Sequence, residues 1–349
     1  MSKAVVILGA GASSDFGVPT LQGIFKDKWA RQYLKQDAFL AQKLDEIFWA
    51  PRGHTLESSD QSVTIEEMLT ILRDWENEPN CRKCPELNLF TEFRKRLYVL
   101  IMRAVFEGKS TKAAHLNPLI QVCNEKFEQV TWASFNWDCV FDASFWYWQS
   151  WAGPGSRSNP SLAISIDNWY GGWPKHLFLK LHGGINWWMI NGRLTYVRFA
   201  SSGDLERKWN EYSKDPNSSD QPVILEPSAY KYCGDFYKLL EPQWSKFFER
   251  LCEAECIIII GYSLPEGDAQ ARSKMMTAFN INKRCKWLLI DPSELTCARF
   301  IRLLGQKSLT VLRKGLVGFN SDVRANLQQA FPDIDFSGTS RRAGGRCRF

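Results

Sequence analysis

The stretch that most constrains the fold is the start of the chain, Ala4 to Thr20, where the apolar run AVVIL breaks into Gly9-Ala10-Gly11-Ala12-Ser13. A buried strand feeding glycines and then a helix is the local form of a phosphate site. Glycine lets backbone approach a pyrophosphate closely, and the helix N-terminus presents N–H groups with no partner of their own. The same pattern also serves as an ordinary tight strand-to-helix turn. Two details turn the reading away from a dehydrogenase: Ser14 stands where a third glycine is usual, and Lys28 to Gln36, where a second strand would deliver a ribose-binding acid, reads as a helix rich in Trp, Arg and Lys.

A chain of 349 residues, 44% hydrophobic and 13% aromatic, can bury a core larger than one small domain needs. From about 21 to 127 the apolar positions fall at three- and four-residue spacing, as in Ser62 to Glu76 and Leu89 to Phe106, and predict a helical insertion. Strand-like runs follow at Gln129–Phe135, His176–Leu181, Pro222–Glu226, Cys256–Ile260, Trp287–Ile290 and Ser308–Leu312. Continuous runs such as Ile257 to Ile260 fit strands buried on both faces. The order predicts an α/β fold, a Rossmann-like parallel sheet with helices on both faces and the helical insertion after the first strand-helix unit. Residues 1–336 are expected to form this domain, and 337–349 a basic Gly/Ser-rich tail, a disordered end or an assembly arm.

No run reaches the roughly 18 apolar residues of a membrane span, and the apolar start is too short for a signal peptide, so a cytoplasmic protein is expected. The ten cysteines show no paired disulfide spacing, which suits a reducing compartment. Cys81 and Cys84 form a lone C-x-x-C without the second pair that tetrahedral zinc needs, so no metal is expected. A net charge of +6 is mild for this length and part of it lies in the tail, which argues against a nucleic-acid groove. The tryptophans at 146–151 and 187–188 lack interleaved cations and read as core or subunit interface rather than base-stacking platforms.

In a parallel sheet, ligands sit beyond the carboxyl ends of the strands. The chemistry-bearing residues of this chain follow its strands: Gly9 and Gly11, Asn136 and Asp138, His182 and Gly183, Gly261 and Ser263, and Asp291. Each has a plain structural alternative. His182 could be a satisfied core histidine, Asn136 a turn residue and Asp138 a first-turn acid. Asp15 and Asp268 could each cap a helix, and His54, His115 and His176 have no motif around them.

GAGAS at 9–13 with Gly17-Val18-Pro19, SFNWD at 134–138, KLHGG at 180–184, and GYSLP at 261–265 followed by LLIDPS at 288–293 together resemble the sirtuin superfamily. The likeness is closer to its bacterial sirtuin-like branch, which consumes NAD in anti-phage defence, and it spans about Lys3 to Ser293. The resemblance implies that NAD is bound as substrate. Gly9, Ala10, Gly11, Ala12 and Ser13 would then cradle the pyrophosphate, with Asp15, Pro19 and Thr20 alongside. Gly261 and Ser263 would meet phosphate or ribose, and Asp291 an adenine-ribose hydroxyl. Asp138 and Gly183 would lie near the nicotinamide ribose, with Asn136 holding a water or a ribose hydroxyl and His182 acting as general base. An imidazole suits that task because it is largely neutral at cytoplasmic pH.

Departures from the protein-deacylase sirtuins shift the expectation to NAD hydrolysis. Where deacylases carry Asp-Phe-Arg this chain has Thr20-Leu21-Gln22, and Phe135-Asn136-Trp137-Asp138 lacks their Gln. The peptide-pairing strand reads Val223-Ile224-Leu225-Glu226-Pro227, whose proline removes a donor, and no four-cysteine zinc module follows the histidine. The expected reaction yields nicotinamide and ADP-ribose. The alternatives are a deacylase or ADP-ribosyltransferase, and a non-catalytic sensing or assembly subunit, which an occluded cleft would favour. Unregulated NAD loss is lethal, so an off-state is implied. The resemblance points to a homo-oligomer with a partner such as a DNA-translocase-type ATPase or an argonaute-like protein.

Overall fold

The computed structural model describes residues 2–55, 63–78, 87–107, 117–142, 176–197, 202–214, 220–226 and 235–336. Cys81 and Cys84, tryptophans 146–151, the segment 152–167, Pro227 and the tail 337–349 lie outside the described residues.

Nine strands are described: β1 (Lys3–Leu8), β2 (Gln129–Ser134), β3 (His176–Lys180), β4 (Gly183–Ile190), β5 (Arg193–Tyr196), β6 (Gln221–Ile224), β7 (Cys256–Ile260), β8 (Lys286–Ile290) and β9 (Leu309–Leu312). Six of them form one sheet in the order β3-β2-β1-β7-β8-β9, every pair parallel. The strand order reverses between β1 and β7, creating the switch point where open α/β sheets bind ligands.

Both faces of this sheet are apolar, as the continuous hydrophobic runs require. Ala4, Val6 and Leu8 join Cys256, Ile258 and Ile260 in one core, while Val5 and Ile7 join Ile257 and Ile259 in the other. The first core is closed by the helices between β1 and β2, namely Lys28–Gln36, Ala38–Leu44, Ile65–Asn77, Leu87–Glu107 and Asn117–Lys126. Ile65–Asn77 shows how the sequence makes such a helix. Thr64 and Glu67 form a reciprocal capping box, and Ile65, Met68, Leu69 and Leu72 fall on one buried stripe. Each of those side chains contributes about 1.5–3 kcal/mol by leaving water. The second core is closed by Asp235–Glu253, Ala269–Ile281 and Glu294–Leu304.

Two departures from the sequence reading concern a second, antiparallel sheet of order β5-β4-β6. The run expected at Pro222–Glu226 pairs with β4 rather than joining the parallel sheet, because a short apolar run does not specify its partner. The hairpin β4–β5 was not foreseen, although its Asn191-Gly192 turn, with φ of 50° and 73°, is the standard sequence signal for a two-residue hairpin. Trp187 and Trp188 alternate across β4 into the two different cores, which accounts for that aromatic pair as packing.

Among the described residues no helix is long and apolar enough to cross a membrane.

Candidate functional site

Strand register brings the expected residues to one edge. Leu8 pairs with Ser134 and with Ile260, Ser134 with Lys180, and Ile260 with Ile290. One or two residues beyond those positions stand Gly9, Asn136, His182, Gly261 and Asp291, all along the carboxyl end of the sheet.

The two glycine turns at the switch point pack on each other. Gly9 donates its N–H to the Ile260 carbonyl at 3.0 Å, and Gly11 to the Gly261 carbonyl at 2.8 Å. A Cβ on Gly261, whose φ is +58°, would lie 2.1 Å from the Ala12 nitrogen, and one on Gly9 would lie 2.4 Å from the Tyr262 Cα. The glycines are therefore required by loop-to-loop packing whether or not a phosphate is present. The Ala12 amide is engaged as well, donating to the Gly9 carbonyl at 2.9 Å. Ala10 is exposed beside them, at the start of the short helix Ala10–Ser14.

Ser13 turns inward. Its Oγ accepts from Asn136 Nδ2 at 2.8 Å and donates to the Asp138 carboxylate. The second Nδ2 hydrogen goes to the Gly9 carbonyl, also at 2.8 Å. Both partners of the Asn136 amide nitrogen are acceptors, so the network fixes the orientation of the amide. Its Oδ1 is left buried with no hydrogen-bond partner, while the residue is 4% exposed. An amide carbonyl held rigid, desolvated and unpaired is costly unless something else donates to it.

Asp138 is buried beneath. Burial pushes its carboxyl up from the ordinary value, against the pull of the Lys180 ammonium, the Ser13 hydroxyl and the Val140 amide. Lys180 donates to the Asp138 carbonyl at 2.6 Å and to Asp142 Oδ2 at 2.9 Å. Burial alone would lower its ammonium, but Asp142 and its neighbours hold it above the usual lysine value. The Trp137 carbonyl accepts from the Ile185 amide, tying the SFNWD turn to β4.

His182, 6% exposed, sits in an aromatic box. Its ring meets Phe135 edge-to-face at 5.0 Å and lies 6.0 Å from Trp244, while Phe135 stacks on Tyr262 at 4.2 Å. The Trp244 indole donates to the Leu181 carbonyl, and the His182 carbonyl accepts from Leu225, fixing the turn from both sides. His182 Nε2 lies 3.6 Å from Asp268 Oδ1, and Asp268 Oδ2 accepts from the Tyr262 hydroxyl at 2.6 Å.

The remaining expected residues divide. A Cβ on Gly183, whose φ is +71°, would lie 2.0 Å from the Val223 carbonyl oxygen, and the residue itself pairs with Ile224 of β6. Asp15 is exposed and accepts from the Val317 amide at 3.0 Å, capping a C-terminal helical turn. Pro19 and Thr20 lead into the 3-10 turn Leu21–Lys26, with the Thr20 carbonyl accepting from Gly23. Ser263 is exposed, and its carbonyl accepts from Arg299. Asp291 Oδ1 accepts from the Ser293 amide at 2.8 Å, and burial pushes its carboxyl up despite that bond.

Among the described residues no group of three or more His, Cys, Asp or Glu has the arrangement of a metal site. No protein-family model matches the chain, and no curated protein matches it.

Proposed function

We propose that this protein hydrolyses NAD to nicotinamide and ADP-ribose at the carboxyl edge of its parallel sheet. The observation that carries the reading is the buried, unpartnered acceptor Asn136 Oδ1 at the switch point, its amide fixed through Nδ2 by Gly9 and Ser13. A ribose hydroxyl or the attacking water supplies the donor that this atom lacks. Breaking the nicotinamide glycosidic bond expels a neutral base and leaves an oxocarbenium-like carbon, so the site has to orient the ribose and direct water more than it has to supply acid. Water adds to the ribose carbon, His182 takes the proton released, and nicotinamide leaves with the bonding pair.

The switch-point strand order and the meeting of the Gly9 and Gly261 turns support a nucleotide there. The hydroxyl of Ser13 is spent on Asn136 and Asp138, and the amides of Gly9, Gly11 and Ala12 on carbonyls of the two turns, so phosphate contacts from this loop fall to none of these groups. Resemblance to the sirtuin-like defence enzymes supports the same chemistry. It supports as well a homo-oligomer that works with a DNA-translocase-type ATPase or an argonaute-like protein.

The second reading, a sensing or assembly subunit, is favoured by one observation: both Asn136 and His182 are almost wholly covered. The test is product analysis by chromatography after incubating the purified chain with NAD and no acylated peptide. The expected result is equimolar nicotinamide and ADP-ribose. NAD bound but left intact by the protein, with and without its isolated partners, would favour the second reading.

A further inference from the structure

Asp268 stands at the N-cap of the helix Ala269–Ile281, where an aspartate ordinarily accepts hydrogen bonds from the first turn, yet its side chain makes no cap bond. The carboxylate is instead turned inward, 1% exposed, with one oxygen 3.6 Å from His182 Nε2 and the other receiving the Tyr262 hydroxyl at 2.6 Å. A helix that gives up a cap worth about 1 kcal/mol, and a carboxylate taken out of water, both need a compensating interaction. We propose that Asp268 is the positioning residue of His182, holding Nε2–H so that Nδ1 carries the lone pair, and that Tyr262 sets how strongly the carboxylate pulls. The assignment rests on the general-base role given to His182 above.

The logic is that of a buried carboxylate behind a catalytic imidazole: it selects the tautomer and stabilises the imidazolium that forms when the proton arrives. The 3.6 Å separation is longer than a hydrogen bond, and the positioning role requires it to shorten when the ring is protonated. The surroundings leave few other charges. Phe135 and Trp244 present aromatic rings to His182, and Gly183 and Leu225 flank it with backbone. Lys180, two residues back, is bound to Asp142. On the helix Ile65–Asn77 the Glu66 carboxylate lies against Gly267, next to Asp268.

The chain has four histidines, so the His182 signal is identified by its loss in His182→Ala, and its titration can be followed by NMR whether or not NAD turns over. Replacing the carboxylate in Asp268→Asn is expected to lower the His182 midpoint by about 1 pH unit. Removing the hydroxyl in Tyr262→Phe frees the carboxylate to pull harder and is expected to raise it by roughly 0.5 unit. Alongside, kcat for nicotinamide release in Asp268→Asn is expected to fall roughly 10²-fold with KM little changed. A His182 titration unmoved in both variants, or moved in the same direction by both, overturns the pairing. Should Asp268→Asn fail to fold, the sign of the Tyr262→Phe shift decides alone. Opposite shifts in a wild type that leaves NAD intact would uphold the pairing and sink the hydrolase reading.

Discussion

Lys180 and His182 leave the same strand two residues apart, and each faces a buried aspartate, yet the two pairs are built differently. Lys180 is closed: a 2.9 Å ion pair to Asp142 and a 2.6 Å bond to the Asp138 carbonyl occupy its ammonium. His182 stands 3.6 Å from Asp268, with the rings of Phe135 and Trp244 packed beside it. Under the proposed reading, the difference separates a pair that holds the SFNWD turn in place from one with latitude to accept a proton. A saturated pair fixes geometry, whereas a loose one retains a change of state to use.

Breaking the closed pair has the largest expected effect. Lys180→Met strands the Asp142 charge in the interior and is expected to lower stability by about 3–5 kcal/mol, read as a large fall in urea midpoint. Adding Asp142→Leu to that variant recovers part of the loss, because the stranded charge goes with it. His182→Ala sharpens the contrast from the other side: turnover falls at least roughly 10²-fold while the unfolding midpoint moves far less than in Lys180→Met.

A smaller effect comes from Asp138, between the two. Burial raises its folded carboxyl above the unfolded value, so its favourable contribution is full at acid pH and is lost as pH rises through the folded value. From about pH 4 to about pH 7 the wild type is therefore expected to lose stability relative to Asp138→Asn, by urea unfolding at each pH. A difference that grows in favour of the wild type would mean that Lys180 outweighs the burial. The smallest effect is at the exposed margin, where Asp15→Ala removes the cap on Val317 and is expected to cost about 0.5–1 kcal/mol with turnover retained. Loss of turnover there would move Asp15 into the site.

The sheet was legible because a strand buried on both faces must be apolar throughout, as Val5 to Leu8 and Ile257 to Ile260 are. Their residues at the carboxyl ends were legible for the same reason. The second sheet was not legible in the same way, since nothing in Pro222 to Glu226 says whether its partner runs parallel, and the Asn191-Gly192 turn signal closely follows Trp187-Trp188, which read as core. In the site, sequence pointed to Asn136 and His182 but gave no way to choose between capping and chemistry for Asp268. The structure shows that the carboxylate makes no cap bond and turns to Tyr262 and His182, a direction set by packing that the sequence does not carry. Ser13 and the glycines carried a phosphate signal by type, yet their atoms serve the turn itself: Ser13 binds Asn136, and Gly9, Gly11 and Gly261 let two loops meet.

The central claim is that Asn136 and His182 together cleave the nicotinamide bond. Its most direct test is nicotinamide release from NAD under single-turnover conditions by the wild type, Asn136→Ala and His182→Ala, each with its fold verified by circular dichroism. Release by the wild type that is lost in both folded variants is the predicted result; full release by folded Asn136→Ala would contradict the account.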